Sequence, residues 1–175
     1  MTANSAIVPP AAVAVIGLGN MGVPMGLRLI KAGFTVTGFD VSEAARQNFA
    51  AAGGRIADHV AAAVTSADVV VTLLPNGKIV REAVNGLREH LKSSAIVVDM
   101  SSSDPLGTRA LGAELIAAGH AFVDAPVSGG VRRAADGSSP SWWAVTMPPS
   151  TASRRCSRRW GLRSFAPARS APATP

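Results

Sequence analysis

Three glycines in the stretch Val15-Ile16-Gly17-Leu18-Gly19-Asn20-Met21-Gly22 stand in G-x-G-x-x-G spacing. Without a Cβ, glycine lets the backbone turn tightly and lets a charged group come close to main-chain N–H groups. The spacing alone says little, but its setting says more. The apolar, β-branched run "AVAVIG" (12–17) reads as a buried strand, and Met21, Met25, Leu29 and Ile30 recur behind it at helical spacing. A glycine loop that leaves a first strand and opens a helix is the arrangement that holds a dinucleotide pyrophosphate. Here Gly17 permits the turn, Gly19 leaves room for the phosphate, and Gly22 lets helix and strand pack closely. Leu18 completes the loop. The N–H groups of Asn20, Met21 and Gly22 point at the phosphates, with the helix dipole behind them.

Asp40 supplies a third element. It ends a second strand, "FTVTGFD" (34–40), 18 residues after Gly22. A carboxylate there accepts hydrogen bonds from the adenosine ribose hydroxyls and repels the extra phosphate of NADP. The expected cofactor is therefore NAD, with NADP not excluded. Arg46 lies one to two turns into the next helix and is badly placed to clamp that phosphate. A second candidate cluster is Ser128, Gly129 and Gly130 in "DAPVSGG" (124–130), a hydroxyl and two unobstructed N–H groups in succession. Such a cluster can bind a carboxylate, and an ordinary Ser-Gly-Gly turn is the competing reading.

The elements that must position these residues alternate. After the second strand, Ser42 caps an alanine-rich helix running to about Ala52, and Asp58 is expected to cap a short helix (58–66). "ADVVVTLL" (67–74) is a strand stopped by Pro75. A helix follows around 78–91, with a possible break at Asn85-Gly86, and then the strand "AIVVDM" (95–100). Asp104 and Pro105 are N-cap and first residue of a helix that Gly119 ends, and "AFVDAP" (121–126) is the last strand. Gly33 ends the first helix. This alternation predicts an α/β fold, a Rossmann doubly wound parallel sheet of six strands in the order 3-2-1-4-5-6. The expected division is a leader at 1–10, the dinucleotide-binding domain at 11–138, and a basic tail at 139–175.

Composition bounds the function. The 175 residues carry a formal net charge of +6, but all 11 acidic residues lie in 1–137. The excess comes from six arginines, at 154, 155, 158, 159, 163 and 169. The basic balance thus belongs to the tail and not to the surface of the domain. The only cysteine, Cys156, permits no disulfide within the chain, and no apolar run approaches a membrane span. The N-terminus lacks the basic start of a secretory signal. A cytoplasmic protein with no metal site, no membrane partner and no nucleic-acid partner is expected.

Four motifs taken together, "GLGNMGVPM", "LLP" (73–75), "DMSSSDP" (99–105) and "DAPVSGG", resemble the β-hydroxyacid dehydrogenase family, which includes the 3-hydroxyisobutyrate dehydrogenases. The resemblance covers about residues 12–138; 6-phosphogluconate dehydrogenases match less well around both glycine motifs. It implies cofactor contacts on the nicotinamide side at Leu74, Pro75 and Ser102, where the family usually has threonine. It also implies contacts of Ser128, Gly129 and Gly130 with a substrate carboxylate. The implied reaction is hydride transfer between a small hydroxy acid and nicotinamide, with a lysine as general acid/base on a later helix. None of Lys31, Lys78 and Lys92 follows the substrate loop, so no catalytic residue is assigned and the chain is expected to be inactive. An imine-reductase-like relative is the alternative enzyme reading.

The tail changes in kind after Ser138. Residues 138–175 hold eight Ser, six Pro, six Arg and all three Trp, without Asp, Glu, Lys or Ile. Prolines at that density oppose helix and sheet ladders. In the family an aliphatic strand containing M-V-G-G stands here. Trp142 and Trp143 are each encoded by TGG and Ala144 begins GC, so a reading shifted by one base spells Met, Leu or Val, then Val, then Gly. Continued on both sides, the shifted frame permits "LAIMVGGDDA". A frameshift just after Ser138 is therefore expected. A disordered extension, and a nucleic-acid-binding tail on a non-catalytic dinucleotide-binding module, are the competing readings.

Overall fold

The computed structural model describes residues 7–127, 130–136 and 163–165. Strands and helices alternate: β1 (Ala12–Ile16), α1 (Gly22–Lys31), β2 (Thr35–Phe39), α2 (Glu43–Ala51), β3 (Arg55–Ile56), α3 (Val60–Val64), β4 (Val69–Thr72), α4 (Gly77–Leu87), β5 (Ile96–Asp99), α5 (Pro105–Ala117), β6 (Ala121–Asp124), α6 (Gly130–Asp136) and β7 (Arg163–Phe165). The sheet order is β3-β2-β1-β4-β5-β6-β7, and the first six strands are parallel. This is the expected Rossmann arrangement, with the reversal of strand order between β1 and β4.

Alternation along the strands sends side chains to two cores. Val13, Val15, Val69, Val71, Val98 and Val123 face one layer, shared with Met25 and Leu29 of α1, Phe49 of α2 and Ala134 of α6. Ala14, Ile16, Val70 and Val97 face the other, filled from α3, α4 and α5 by Val64, Leu87, Val84 and Leu115. Strands covered on both faces read as unbroken apolar runs, which is why "AVAVI" and "VVVT" show no polar alternation.

The Phe49 ring shows how closely the first layer is fitted. It is fully buried, and Gly26 of α1, Gly38 of β2 and Gly54 after α2 each meet it where a Cβ would overlap the ring. Three glycines thus form the slot by which α2 is seated.

Several boundaries differ from the sequence expectation. The first helix begins at Gly22, with Met21 at its N-cap, so Asn20 and Met21 stay in the loop. Ser42 and Asp104 cap α2 and α5 as expected, accepting the N–H groups of Ala45 (3.3 Å) and Gly107 (2.7 Å). His59, not Asp58, caps α3, its Nδ1 accepting the N–H of Ala62 at 3.1 Å. Helix α4 runs through Asn85-Gly86 without a break and tightens into a 3-10 turn at Arg88–His90. Strand β3 was the one not located by residue, since two residues show no period. Residues 163–165 also depart from the expectation of a tail without sheet ladders: β7 pairs antiparallel with β6, Phe165 opposite Phe122 and Arg163 opposite Asp124. They fall in a proline-free window between Pro149 and Pro167. The rest of the tail, including the segment of the proposed frameshift, lies outside the described residues.

At the amino edge of the sheet, Asp68 accepts the N–H of Ala12 (2.9 Å) and pairs with Lys92 (2.9 Å). His120 is buried where α5 turns into β6, and its Nδ1 has no hydrogen-bond partner among the described residues.

Two predictions follow from this packing. Phe49→Ala is expected to cost about 3–5 kcal/mol in urea unfolding, because the glycine slot cannot close on the space. Burial, and then the nearby Arg88 guanidinium, hold the His120 pKa below the ordinary histidine value, so the folded ring takes up its proton at a lower pH than the unfolded one. The unfolded chain binds the proton first as pH drops below about 6.5, so stability should fall there. His120→Leu should flatten that dependence in urea midpoints measured from about pH 7 to 5.

Candidate functional site

The parallel register aligns Phe39, Ile16, Thr72, Asp99 and Asp124 in one row at the carboxyl ends of the strands. The ladder runs one residue further: Gly17 donates to the Phe39 carbonyl (2.9 Å), Leu73 to Ile16 (2.9 Å), Met100 to Thr72 (2.9 Å) and Ala125 to Asp99 (2.8 Å). All four motif-bearing loops therefore leave the sheet at the same height. The reversal of strand order opens a crevice between the glycine loop and the loop after β4, where open α/β sheets receive ligands.

The three loop glycines differ in what the fold asks of them. Gly17 has φ 101°, and a Cβ on it would overlap the Leu73 carbonyl. A Cβ on Gly22 would run into the carbonyl oxygen of Gly17. Both are required by internal packing. Gly19 is not: nothing lies within 4 Å of where its Cβ would stand. The fold itself gives Gly19 no reason to be glycine, whereas a phosphate seated on the loop would. In the first turn of α1 the Val23 N–H donates to the Gly19 carbonyl (3.2 Å) and Pro24 has no N–H, so the Gly22 N–H is the first-turn donor left to the same space.

Asp40 is tied into this loop. Its Oδ2 accepts the N–H of Leu18 (2.7 Å) and its Oδ1 the N–H of Ser42 (2.8 Å). Each carboxylate oxygen retains a lone pair for a further donor. Arg46 donates to the carbonyls of Asp40 and Val41 and stacks on Phe39 at 5.7 Å, so its charge is turned to the backbone. A groove of about 510 Å³ runs from Leu18, Gly19 and Asn20 to Ser42 and Asn48, between the starts of α1 and α2.

Beyond β4 the structure brings together residues that the sequence reading did not single out. Asp99 is buried and accepts from the Thr72 hydroxyl, the Ser101 N–H and the Ser103 hydroxyl. Ser101 Oγ accepts the N–H of Leu74 at 2.9 Å. The sequence signal was available: a carboxylate that ends an apolar strand and precedes three serines has donors within reach. Leu74 is half-buried, while Pro75 and Ser102 are exposed at the crevice. Gly130 opens α6 with φ 70° and is exposed; Ser128 and Gly129 lie outside the described residues. Helix α6 packs against α1.

Lys31 and Lys92 lie at the amino edge, opposite the crevice, and Lys78 is exposed in the first turn of α4. Among the described residues no group of three His, Cys, Asp or Glu could hold a metal ion, and no helix is long and apolar enough to cross a membrane.

A doubly wound sheet with a glycine loop at its switch point and an acid ending β2 defines a dinucleotide-binding domain. The family described as the NAD binding domain of 6-phosphogluconate dehydrogenase matches residues 12–140, and the chain belongs to it, with 3-hydroxyisobutyrate dehydrogenase-like β-hydroxyacid dehydrogenases among its relatives. The 3-sulfolactaldehyde reductase of Escherichia coli (strain K12) is 40% identical over 120 residues, covering 67% of this chain and 40% of that protein. The mitochondrial 3-hydroxyisobutyrate dehydrogenase of Rattus norvegicus is 38% identical over 125 residues, covering 70% and 37%. The solved structure of the Mycobacterium tuberculosis 3-hydroxyisobutyrate dehydrogenase with L-serine superposes with a TM-score of 0.70 at 37% identity, over 72% of this chain and 43% of that one. An imine reductase from Myxococcus stipitatus in complex with NAD+ shares the fold at 21% identity and a TM-score of 0.66. The chain thus spans about two-fifths of the length of these curated relatives.

The glycine loop yields a separable prediction. Gly19→Ala should leave urea stability within about 0.5 kcal/mol of the native chain, as for a surface substitution. It should nevertheless weaken NADH binding, followed by nicotinamide fluorescence, by about tenfold or more, because the new methyl occupies the phosphate approach. Gly17→Ala should fail in stability itself, since its φ and the Leu73 carbonyl both oppose a side chain.

Proposed function

We propose that this chain is the cofactor-binding half of a β-hydroxyacid dehydrogenase that acts on a small carboxylate-bearing hydroxy acid. The observation that carries the reading is the glycine loop at the switch point, where two glycines serve the fold and the third is left to a ligand. Gly17, Leu18, Gly19, Asn20, Met21 and Gly22 would hold the pyrophosphate, Asp40 the adenosine ribose, and Leu74, Pro75 and Ser102 the nicotinamide side. When bound, the nicotinamide supplies the hydride acceptor. Ser128, Gly129 and Gly130 would hold the substrate carboxylate, in keeping with the carboxylate of the L-serine named with the mycobacterial structure.

The reading places the protein in the cytoplasm, with a small metabolite rather than a nucleic acid as its partner. It also takes the sequence after Ser138 as a shifted reading of the family's next strand. No lysine follows Ser128 in the 175 residues, so they bind cofactor but supply no general acid/base for the hydroxyl.

Calorimetry on the 175-residue chain should therefore show binding of NAD in preference to NADP, with no turnover of 3-hydroxyisobutyrate. Asp40→Ala should narrow the preference by about tenfold, the scale of one lost charge contact. Heat from neither dinucleotide with folded protein would overturn the cofactor reading, and turnover would overturn the claim that the chain alone is inactive.

A further inference from the structure

The Asp99 carboxylate is 1% exposed, and donors from three positions meet it. At the end of β4, Thr72 Oγ1 donates to Oδ1 (2.9 Å), and the Ser101 N–H donates to the same oxygen (3.0 Å). Ser103 Oγ donates to Oδ2 (2.9 Å). Ser101 passes the connection on, its hydroxyl oxygen accepting the N–H of Leu74 (2.9 Å). Thr72 and Ser101 are themselves buried, at 0% and 3% exposure.

A desolvated carboxylate is a costly way to join two strands, and β4 and β5 are already joined by their ladder. An apolar residue would pack there at lower cost. What the carboxylate adds is position. Its partners are Thr72, the last residue of β4, and Ser101 and Ser103 of the loop after β5. Ser101 in turn holds Leu74, which ties together the two loops that leave β4 and β5, residues 73–76 and 100–104. These form the wall of the crevice on the far side of the switch point from Asp40. With the pyrophosphate on the glycine loop and the adenosine on the β2 side, that wall faces the nicotinamide half.

We propose that Asp99 is a positioning residue for the nicotinamide half of the cofactor, locking the Leu74 and Ser101–Ser103 loops together through Thr72, Ser101 and Ser103. The inference rests on the reading of the chain as an NAD-binding domain. Asp99 acts from beneath the wall, through the residues that line it. Asparagine at this position keeps one oxygen for Thr72 and the Ser101 N–H, while its amide donates to the Ser103 hydroxyl. The clamp therefore survives the loss of charge in Asp99→Asn, but not the loss of the side chain in Asp99→Ala.

The test compares NADH with ADP-ribose, which lacks only the nicotinamide, on the full chain. Asp99→Ala and Ser101→Ala are expected to weaken NADH by about tenfold and ADP-ribose by less than about twofold, and Asp99→Asn to restore NADH to within about threefold of native. If Asp99→Ala does not fold, Ser101→Ala carries the same contrast, because it keeps the carboxylate and removes only the tie to Leu74. Equal weakening of both ligands, no weakening of NADH, or an Asp99→Asn as defective as Asp99→Ala would overturn the proposal and leave the cofactor reading standing. A native chain that binds neither ligand would remove the cofactor reading, and this inference with it.

Discussion

A parallel sheet can bring distant loops to one place only while its register holds, and here the register is held by burial on both faces. Sliding β4 by one residue would turn Val69 and Val71 away from the α1 layer and send Val70 into it. It would also take Thr72 out of line with Ile16 and Asp99, and with it the height at which the β4 loop leaves the sheet. The crevice therefore inherits its dimensions from two valine-rich cores some distance below it. None of the candidate binding residues could be set by its own loop alone.

Within that frame the loops are fixed by side chains that serve the backbone. Asp40 holds the N–H groups of Leu18 and Ser42, Asn76 accepts the N–H of Ile79 at the start of α4, and Ser101 accepts that of Leu74. The polar groups around the crevice thus satisfy one another before any ligand arrives. A site organised in this way loses little conformational freedom on binding.

The sequence made the architecture legible because its signals were local and redundant. β1, β4 and β5 are apolar runs bounded by turn residues, and Asp104-Pro105 marks a helix start by its chemistry. The sequence left less trace where structure is short or decided by competition. β3 has two residues and draws its place from β2. Asp58 and His59 both suit a cap, and only the path of the chain selects His59. The glycine spacing named the loop but could not divide its glycines into those serving the fold and the one that does not. That division needs the Leu73 carbonyl, which is 56 residues beyond Gly17 in sequence. The buried Asp99 cluster escaped for the same reason, since Thr72 lies 27 residues before its partner.

The two hydrogen bonds that Asp40 accepts, from the N–H groups of Leu18 and Ser42, have a consequence for how this domain can evolve. The side chain that would discriminate between dinucleotides is also the pin that ties the glycine loop to the start of α2. A substitution that admits the larger dinucleotide therefore loosens the loop that any dinucleotide needs. Changes of cofactor preference at this position should come as linked sets, in which a neighbour takes over the backbone tie before or together with the loss of the acid. Single steps would be selected against for reasons unrelated to specificity. On the proposed role of Asp40, cofactor choice becomes an epistatic trait, with Ser42 and Arg46 the nearest side chains from which compensation could arise.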